Sequence, residues 1–343
     1  MKKVIIILLL LIVIAAGICA WLFIGPATGF SEKSKVLYIS TKAATKKAVI
    51  DSLVKNKIIS YQFAFELLAD RKDYWKNIKP GKYQIKKGSS VVDVVRMLRN
   101  GTQTPVNLVI TKLRTKEDFA KLVGRRFETD SLQMITFLNS SDSLKKFDTE
   151  VETAMWNLIP DTYTYYWNSA PAVIYEKLYK KSKNFWTEER IQKAKALNQS
   201  PLETYILASI IEEETTNHSE KDTIASVYLN RLKIGMPLQA DPTLKFAVKD
   251  FALTRIAGEI LKVASPYNTY QNKGLPPGPI CTPSKITIDA VLNPAITPYL
   301  YFVAKPKLGG HLYSVTYEEH LRKRDDYLAA DKLRQEKENK DTQ

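Results

Sequence analysis

The chain has 343 residues, 45% hydrophobic and 25% charged, an ordinary globular balance with room for two or three domains after any terminal segment. Its net charge of +15 suits an anionic partner, such as nucleic acid, anionic lipid or an acidic polymer. Cys19 and Cys281 are the only cysteines, which excludes a disulfide framework and any cysteine-based metal site, so a buried core must supply stability.

Met1-Lys2-Lys3 precedes an uncharged apolar run of 21 residues from Val4 to Ile24. As a helix, such a run crosses a hydrocarbon core of about 30 Å. The two lysines should keep residues 1–3 cytoplasmic and place the rest outside the inner membrane, as a single-pass protein with an extracytoplasmic or periplasmic body. A cleaved signal peptide is the rival reading. Its apolar core would be shorter, roughly 7–15 residues, and followed by a small-residue cleavage site. The run instead ends in Trp21-Leu22-Phe23, and Ile18 before Cys19 does not suit lipoprotein processing. An uncleaved anchor over 4–24 is therefore expected. Without Lys2 and Lys3 the net charge is still +13. An extracytoplasmic location removes nucleic acid as a partner and leaves anionic wall material or the membrane surface, beside the plainer reading that lysines keep the surface soluble.

Residues 25–34 read as a linker and 35–110 as a small mixed unit. "KVLYIS" is a strand candidate. Helical periodicity then runs through "ATKKAVIDSLVKNKI" and "SYQFAFELLADRKDYW". Pro80-Gly81 makes a turn and Tyr83-Gln84-Ile85 a short strand. Ser89-Ser90 caps a helix that stops at Asn100-Gly101, and "VNLVI" is a further strand. From 111 to 200 the pattern is mainly helical, with a departure at the aromatic "LIPDTYTYYW". Ser200-Pro201-Leu202-Glu203 opens the next helix with a capping serine, an N-terminal proline and a box-closing glutamate. A helix over about 219–234 ends at Gly235. "MPLQADPT" reads as a turn, "SPYNTYQNKGLPPGPICTPS" as loop, "KITIDAVLNP" as helix, and "YLYFVA" and 311–315 as strands around a Gly309-Gly310 turn. The charged tail, 326–343, reads as a fraying surface helix.

The stretch "YILASIIEEETT" attracts chemistry, because an apolar helix ends in Glu212, Glu213 and Glu214. The helix is apolar nearly all round, so periodicity cannot say which glutamate is buried. Solvent-facing glutamates at a helix C-terminus are the plain alternative, although each would face the negative end of the helix dipole. A desolvated glutamate has a raised pKa and can protonate a leaving group, as glycosidic cleavage requires. Most glycoside hydrolases need a second carboxylate, whereas a wall-cleaving lyase manages with one. Elsewhere, Gln239 and Asp241 sit in "LQADPT", where Asp-Pro alone reads as an Asx turn. Asn268 and Tyr270 sit in "YNTY", where aromatics and amides suit sugar faces and hydroxyls. His218, His311 and His320 match no zinc spacing, and there is no GxSxG elbow, P-loop or dinucleotide fingerprint.

Five blocks in order over Leu207 to His320 carry a resemblance. They are "LASIIEEET", "ASVYLNRLKIGMPLQADPT", "YNTYQNKGLPPGPICTPS", "NPAITPYLYFVA" and "GGHLYSVTYEEH". This set resembles the endolytic murein transglycosylases, the MltG or YceG-like family. "PDTY" at Pro160 to Tyr163 extends the likeness, and "GKYQIKKGSSVVDVVRMLRNG" looks like the family's LysM-like subdomain. The resemblance implies an α+β architecture: a transmembrane helix, a LysM-like subdomain over 35–110 and a larger catalytic domain over 111–325. It implies a membrane-anchored lytic transglycosylase that cuts nascent peptidoglycan internally at the β-1,4 bond from N-acetylmuramic acid to N-acetylglucosamine, leaving 1,6-anhydromuramoyl ends. In the family motif E-x-E-T the catalytic position falls on Glu214, with Glu212 the other family glutamate and Glu213 the variable position. No metal or organic cofactor is implied. Glycan strands are the expected partner, with peptidoglycan synthases a further one. Cys281 stands where several relatives have a small residue. Glu212, Gln239, Asp241, Asn268 and Tyr270 are expected along the glycan groove from their chemistry and placement. A hydrolytic muramidase, with Glu212 or Asp241 as second carboxylate, and a non-catalytic wall-binding scaffold are the competing readings.

Overall fold

A computed structural model describes residues 2–305 and 309–341, with side chains over 3–305 and 309–332. Met1 of the expected cytoplasmic segment, residues 306–308 and the last two residues of the expected tail lie outside the described residues. The chain divides into two units, one of residues 1–108, 123–130 and 163–171, the other of 109–122, 131–162 and 172–343.

In the first unit, helix α1 (Lys2–Ile24) is long and apolar enough to cross a membrane by length and composition. Strand β1 (Ser34–Ile39) is followed by α2 (Lys46–Lys55), α3 (Gln62–Arg71), β2 (Gly81–Lys86) and α4 (Val91–Asn100). β1 and β2 pair antiparallel with Leu37 opposite Tyr83 and Ile39 opposite Gly81. Alternation puts Leu37, Ile39, Tyr83 and Ile85 inside, against Val49, Leu53, Phe65, Val94 and Leu98 from the helices. Each such side chain contributes roughly 1.5–3 kcal/mol on burial. Ser90 and Asp93 form the capping box that starts α4, and Gly101 ends it in the left-handed conformation, φ 70°. Strand β3 (Val106–Ile110) pairs with β4 (Asp161–Tyr165), the strand hidden in the aromatic departure.

The second unit begins with α5 (Lys116–Gly124), α6 (Ser131–Leu138), α7 (Ser141–Lys145), α8 (Pro171–Phe185) and α9 (Glu188–Ala196). Then come α10 (Pro201–Glu214), α11 (Lys221–Lys233), α12 (Asp241–Val248) and α13 (Lys285–Leu292). The antiparallel pair β5 (Tyr301–Ala304) and β6 (His311–Ser314), and helix α14 (Tyr317–Asp341), complete it. α10 is the centre of this unit. Its Ser200–Glu203 capping box is closed in both directions, and every residue from Thr204 to Ile211 is buried against α9, α11, α12 and α13. An all-round apolar sequence thus becomes an all-round buried helix. The turn expected at "QADPT" is instead the start of α12. Asp241 and Pro242 occupy its first turn, where a carboxylate meets the positive dipole end and proline has no hydrogen bond to lose. The loop from Ser265 to Ser284 has no regular structure among the described residues.

Candidate active site

Successive residues leave a helix 100° apart, so the three glutamates at the end of α10 meet three environments. Glu212 enters a polar nest. It accepts from Lys221 Nζ at 2.9 Å, from Ser284 Oγ at 3.0 Å and from the hydroxyl of Thr287. Burial alone would raise its carboxyl, but the bonds from Thr287, Lys221 and Ser284 outweigh that and hold it below the usual range. Glu213 takes a bidentate pair from Arg114, 3.0 Å on each oxygen, and an ion pair with Lys112 at 2.9 Å.

Among the described residues, neither a lysine nor an arginine forms an ion pair with Glu214. Its Oε1 accepts a 2.6 Å hydrogen bond from Oη of Tyr228, in the middle of α11. Burial pushes the Glu214 carboxyl up to about 7, the Tyr228 bond pulls it down, the charge of Asp241 pushes it up, and Arg231 and Lys245 pull it down. The residue keeps part of its surface accessible while the protein around it excludes bulk water, the combination a proton donor to an incoming substrate needs.

Tyr228 and Arg231 lie at i, i+3 on α11, so both reach the same side. Tyr228 is 1% exposed and its hydroxyl is raised far above its ordinary value, first by burial and then by Glu214. Arg231 donates Nε to Leu300 O at 2.7 Å and Nη1 to Leu238 O, and its guanidinium lies 5.4 Å from the Tyr301 ring centroid. Two backbone carbonyls therefore fix a buried positive charge beside Glu214.

Of the expected groove residues, Asp241 and Tyr270 come together through a hydrogen bond from the tyrosine hydroxyl, and Asp241 lies within electrostatic reach of Glu214. Gln239 is exposed, and its backbone N–H donates to Thr269 O at 3.0 Å. Its φ of 48° is left-handed, a conformation a non-glycine residue holds only where the surroundings enforce it. Asn268 is placed differently: it is fully buried, donates to Leu261 O and Val263 O at 3.1 and 2.9 Å, and accepts from Tyr270 N at 3.0 Å. Its carboxamide shapes the loop that carries Tyr270, and offers no free group to a ligand. Glu212 likewise spends its carboxylate on Lys221, Ser284 and Thr287. The loop after Tyr270 is laced to α10 where Ile280 N donates to Ser209 Oγ at 3.0 Å and Cys281 Sγ to Ser209 O at 3.3 Å. Cys281 is 1% exposed and burial pushes its thiol well up, so it packs as a small apolar residue. Asp161 of the "PDTY" block joins the same unit by its 2.8 Å ion pair with Lys285.

Beside Glu213 lies a cavity of about 270 Å³ lined by Lys112, Arg114, Pro242, Lys245, Phe251 and Ile280, with a second of about 600 Å³ sharing Lys112, Arg114 and Phe251. Among the described residues no cluster of three or more His, Cys, Asp or Glu suits a metal ion. Sequence reasoning singled out none of Tyr228, Arg231, Lys221 or Arg114. The signal for the first two was present, a Tyr and an Arg three apart, on one side of the helix "ASVYLNRL".

The model of the YceG-like family matches residues 37–326. The chain is 30% identical over 306 residues to a Bacillus subtilis protein named endolytic murein transglycosylase, covering 82% of each. It is 29% identical over 303 residues to a Streptococcus pneumoniae protein of the same name, covering 79% of this chain and 54% of the relative, so it spans about half the pneumococcal protein. A crystal structure of a yceG-like protein from Listeria monocytogenes superposes with a TM-score of 0.56 at 26% identity, over 85% of this chain and 99% of that one.

Proposed function

Because the chain belongs to the YceG-like family, we propose that it is an endolytic peptidoglycan transglycosylase, held in the cytoplasmic membrane by α1, with Glu214 as its proton shuttle. The observation that carries the reading is the desolvated Glu214 carboxyl with a pKa near 7, gripped on one oxygen by Tyr228. Such a group is populated in both protonation states at neutral pH. Protonated Glu214 gives its proton to the oxygen between N-acetylmuramic acid and N-acetylglucosamine as that bond breaks. The resulting carboxylate takes the proton of the muramoyl C6 hydroxyl, whose oxygen closes on C1. The product is a 1,6-anhydro ring, no water is consumed, and Glu214 ends as it began. Tyr228 holds Oε1, which leaves Oε2 to carry the proton.

We place the strand across Gln239, Asp241 and Tyr270, with Asn268 and Glu212 supporting the loops around it. The body, a LysM-like subdomain over 35–110, a catalytic domain over 111–325 and a charged tail over 326–343, lies on the extracytoplasmic side in this reading, within reach of nascent strands and the synthases that make them. One observation favours a second reading. Asp241 is near enough for Glu214 to feel its charge, so it could serve as the second carboxylate of a hydrolase. Product mass from uncrosslinked glycan strands, with full-length chain in detergent beside Glu214→Gln, separates the two. Anhydro ends from the wild type alone support the proposal. Reducing ends, heavier by one water, make the chain a hydrolase. No cleavage by either makes it a wall-binding protein.

A further inference from the structure

Most of the excess positive charge lies in the stretch of chain that follows α1. Residues 25–108 hold 16 Lys and Arg against 6 Asp and Glu, a net of +10 out of the chain's +15. Part of that charge sits where α1 ends. The chain leaving α1 is tied down at once: Ala27 N donates to Ser89 O at 3.0 Å, Ser60 N to Ala27 O at 2.8 Å and Gly88 N to Thr28 Oγ1 at 2.8 Å. Leu22 and Phe23 of the last helical turn pack on the core of the first unit.

Three stretches with lysines meet at this exit. Lys87 N donates to Lys33 O at 3.0 Å, Ser34 pairs with Lys86, and Lys35 Nζ donates to Asn56 O at 3.1 Å. The segments that carry Lys33, Lys35, Lys55, Lys57, Lys86 and Lys87 thereby adjoin one another as a basic collar of chain. All but the half-buried Lys35 are exposed. Among the described residues the one carboxylate paired with any of them is Glu32, on Lys35 at 3.7 Å. Aromatic side chains accompany the collar. Trp21, 55% exposed, lies edge-on to Tyr61 at 6.0 Å, and Phe63, two residues on, is 75% exposed. Six like charges with one counter-ion among them repel one another, so the arrangement is unfavourable for the isolated fold. Lysines and exposed aromatics in segments close to the end of an apolar helix suit a bilayer interface, where rings sit at headgroup level and ammonium groups meet phosphates.

We propose that this face of the first unit is a docking surface for anionic phospholipid headgroups of the membrane that holds α1. The collar rests the unit against the bilayer and limits its swing about the anchor. The inference depends on the anchoring reading above, and the test separates the two.

The full-length chain is reconstituted in nanodiscs of phosphatidylcholine alone or with phosphatidylglycerol, and amide hydrogen exchange is followed. Slow exchange over residues 4–24 in both discs reports the anchor; fast exchange there removes the anchoring reading and this inference with it. With the anchor in place, exchange over 28–35, 55–61 and 86–90 should slow by at least about fivefold in the anionic discs, the contribution of one lysine near an anionic surface. The slowing should vanish at about 0.5 M salt. It should also vanish in a variant with all six lysines changed to Gln, and persist when they are changed to Arg. Equal exchange in both discs overturns the proposal, whatever the variants do. Slowing in neutral discs on adding a soluble poly(glycerol phosphate), with none from phosphatidylglycerol, overturns it in favour of a wall polymer.

Discussion

Lys221→Met tests why an apolar helix can end in three carboxylates at all. Lys221 is 1% exposed and opens α11, where a cation opposes the helix dipole. Its placement is explained by Glu212, 2.9 Å away and 15% exposed, with Thr287 Oγ1 at 2.6 Å as its other partner. Removing one member of such a pair leaves an uncompensated buried charge, at about 3–5 kcal/mol. For a unit of this size that is a drop of roughly 6–20 °C in Tm. The pH dependence has a definite sign. Glu212 is held below its ordinary value of 4.5, so its stabilisation is present above that value and is lost as pH falls through the folded pKa. Without Lys221 the carboxyl moves up and takes a proton more readily. The gap between wild type and variant should therefore be widest at neutral pH and narrow toward pH 4. Thermal unfolding of the full-length chain in detergent measures it, and Glu212→Gln with Lys221→Met should recover most of the loss by removing the orphaned charge. A drop under about 1 kcal/mol at neutral pH, or no recovery in the double variant, would refute the reasoning.

Three other substitutions act nearer the chemistry. In Tyr228→Phe, Glu214 loses a hydrogen bond that favours its ionised form. A bond to a charged group is worth about 1.5–3 kcal/mol, so the alkaline limb of the pH–rate profile should move up by about one pH unit or more while the maximal rate falls. Asp241→Asn removes a negative neighbour and should move the same limb the opposite way, by less; an upward movement in both variants would show that Asp241 does not act on Glu214 by charge. Asn268→Ala takes this donor from the Val263 carbonyl and this acceptor from the Tyr270 amide, and leaves the Leu261 carbonyl with the longer bond from Gln271 Nε2 at 3.4 Å, so limited proteolysis should cut faster over residues 258–272, about 1 kcal/mol being lost locally per hydrogen bond. An unchanged cleavage rate would contradict the scaffolding role given to that side chain.

Local chemistry made much of the fold legible. Ser200 and Glu203 announce the start of α10, and Gly101 and Gly235, with φ of 70° and 65°, stand where α4 and α11 end. These signals survive because caps and left-handed turns depend on near neighbours in the chain. The fates of the glutamates were not legible, because α10 is apolar on every side and no periodicity ranks Glu212, Glu213 and Glu214. What separates them is distant in sequence: Lys221 with Thr287, Arg114 with Lys112, and Tyr228. Asp241 was misread for a related reason, since Asp-Pro suits a turn and a first helical turn equally and the residues after it decide. Asn268 has the chemistry of a sugar ligand, and only packing shows that its amide is already spent.

The claim most open to direct test is that the fold keeps Glu214 protonated into the neutral range. Infrared difference spectra between the wild-type chain and Glu214→Gln isolate the carboxylic C=O stretch of this one group, and its loss can be followed from pH 4 to pH 9. The geometry of α10 and α11 predicts a midpoint near 7. A midpoint at the ordinary value of 4.5 would mean that Glu214 is solvated and already ionised at neutral pH, and the proton shuttle would have to be sought elsewhere.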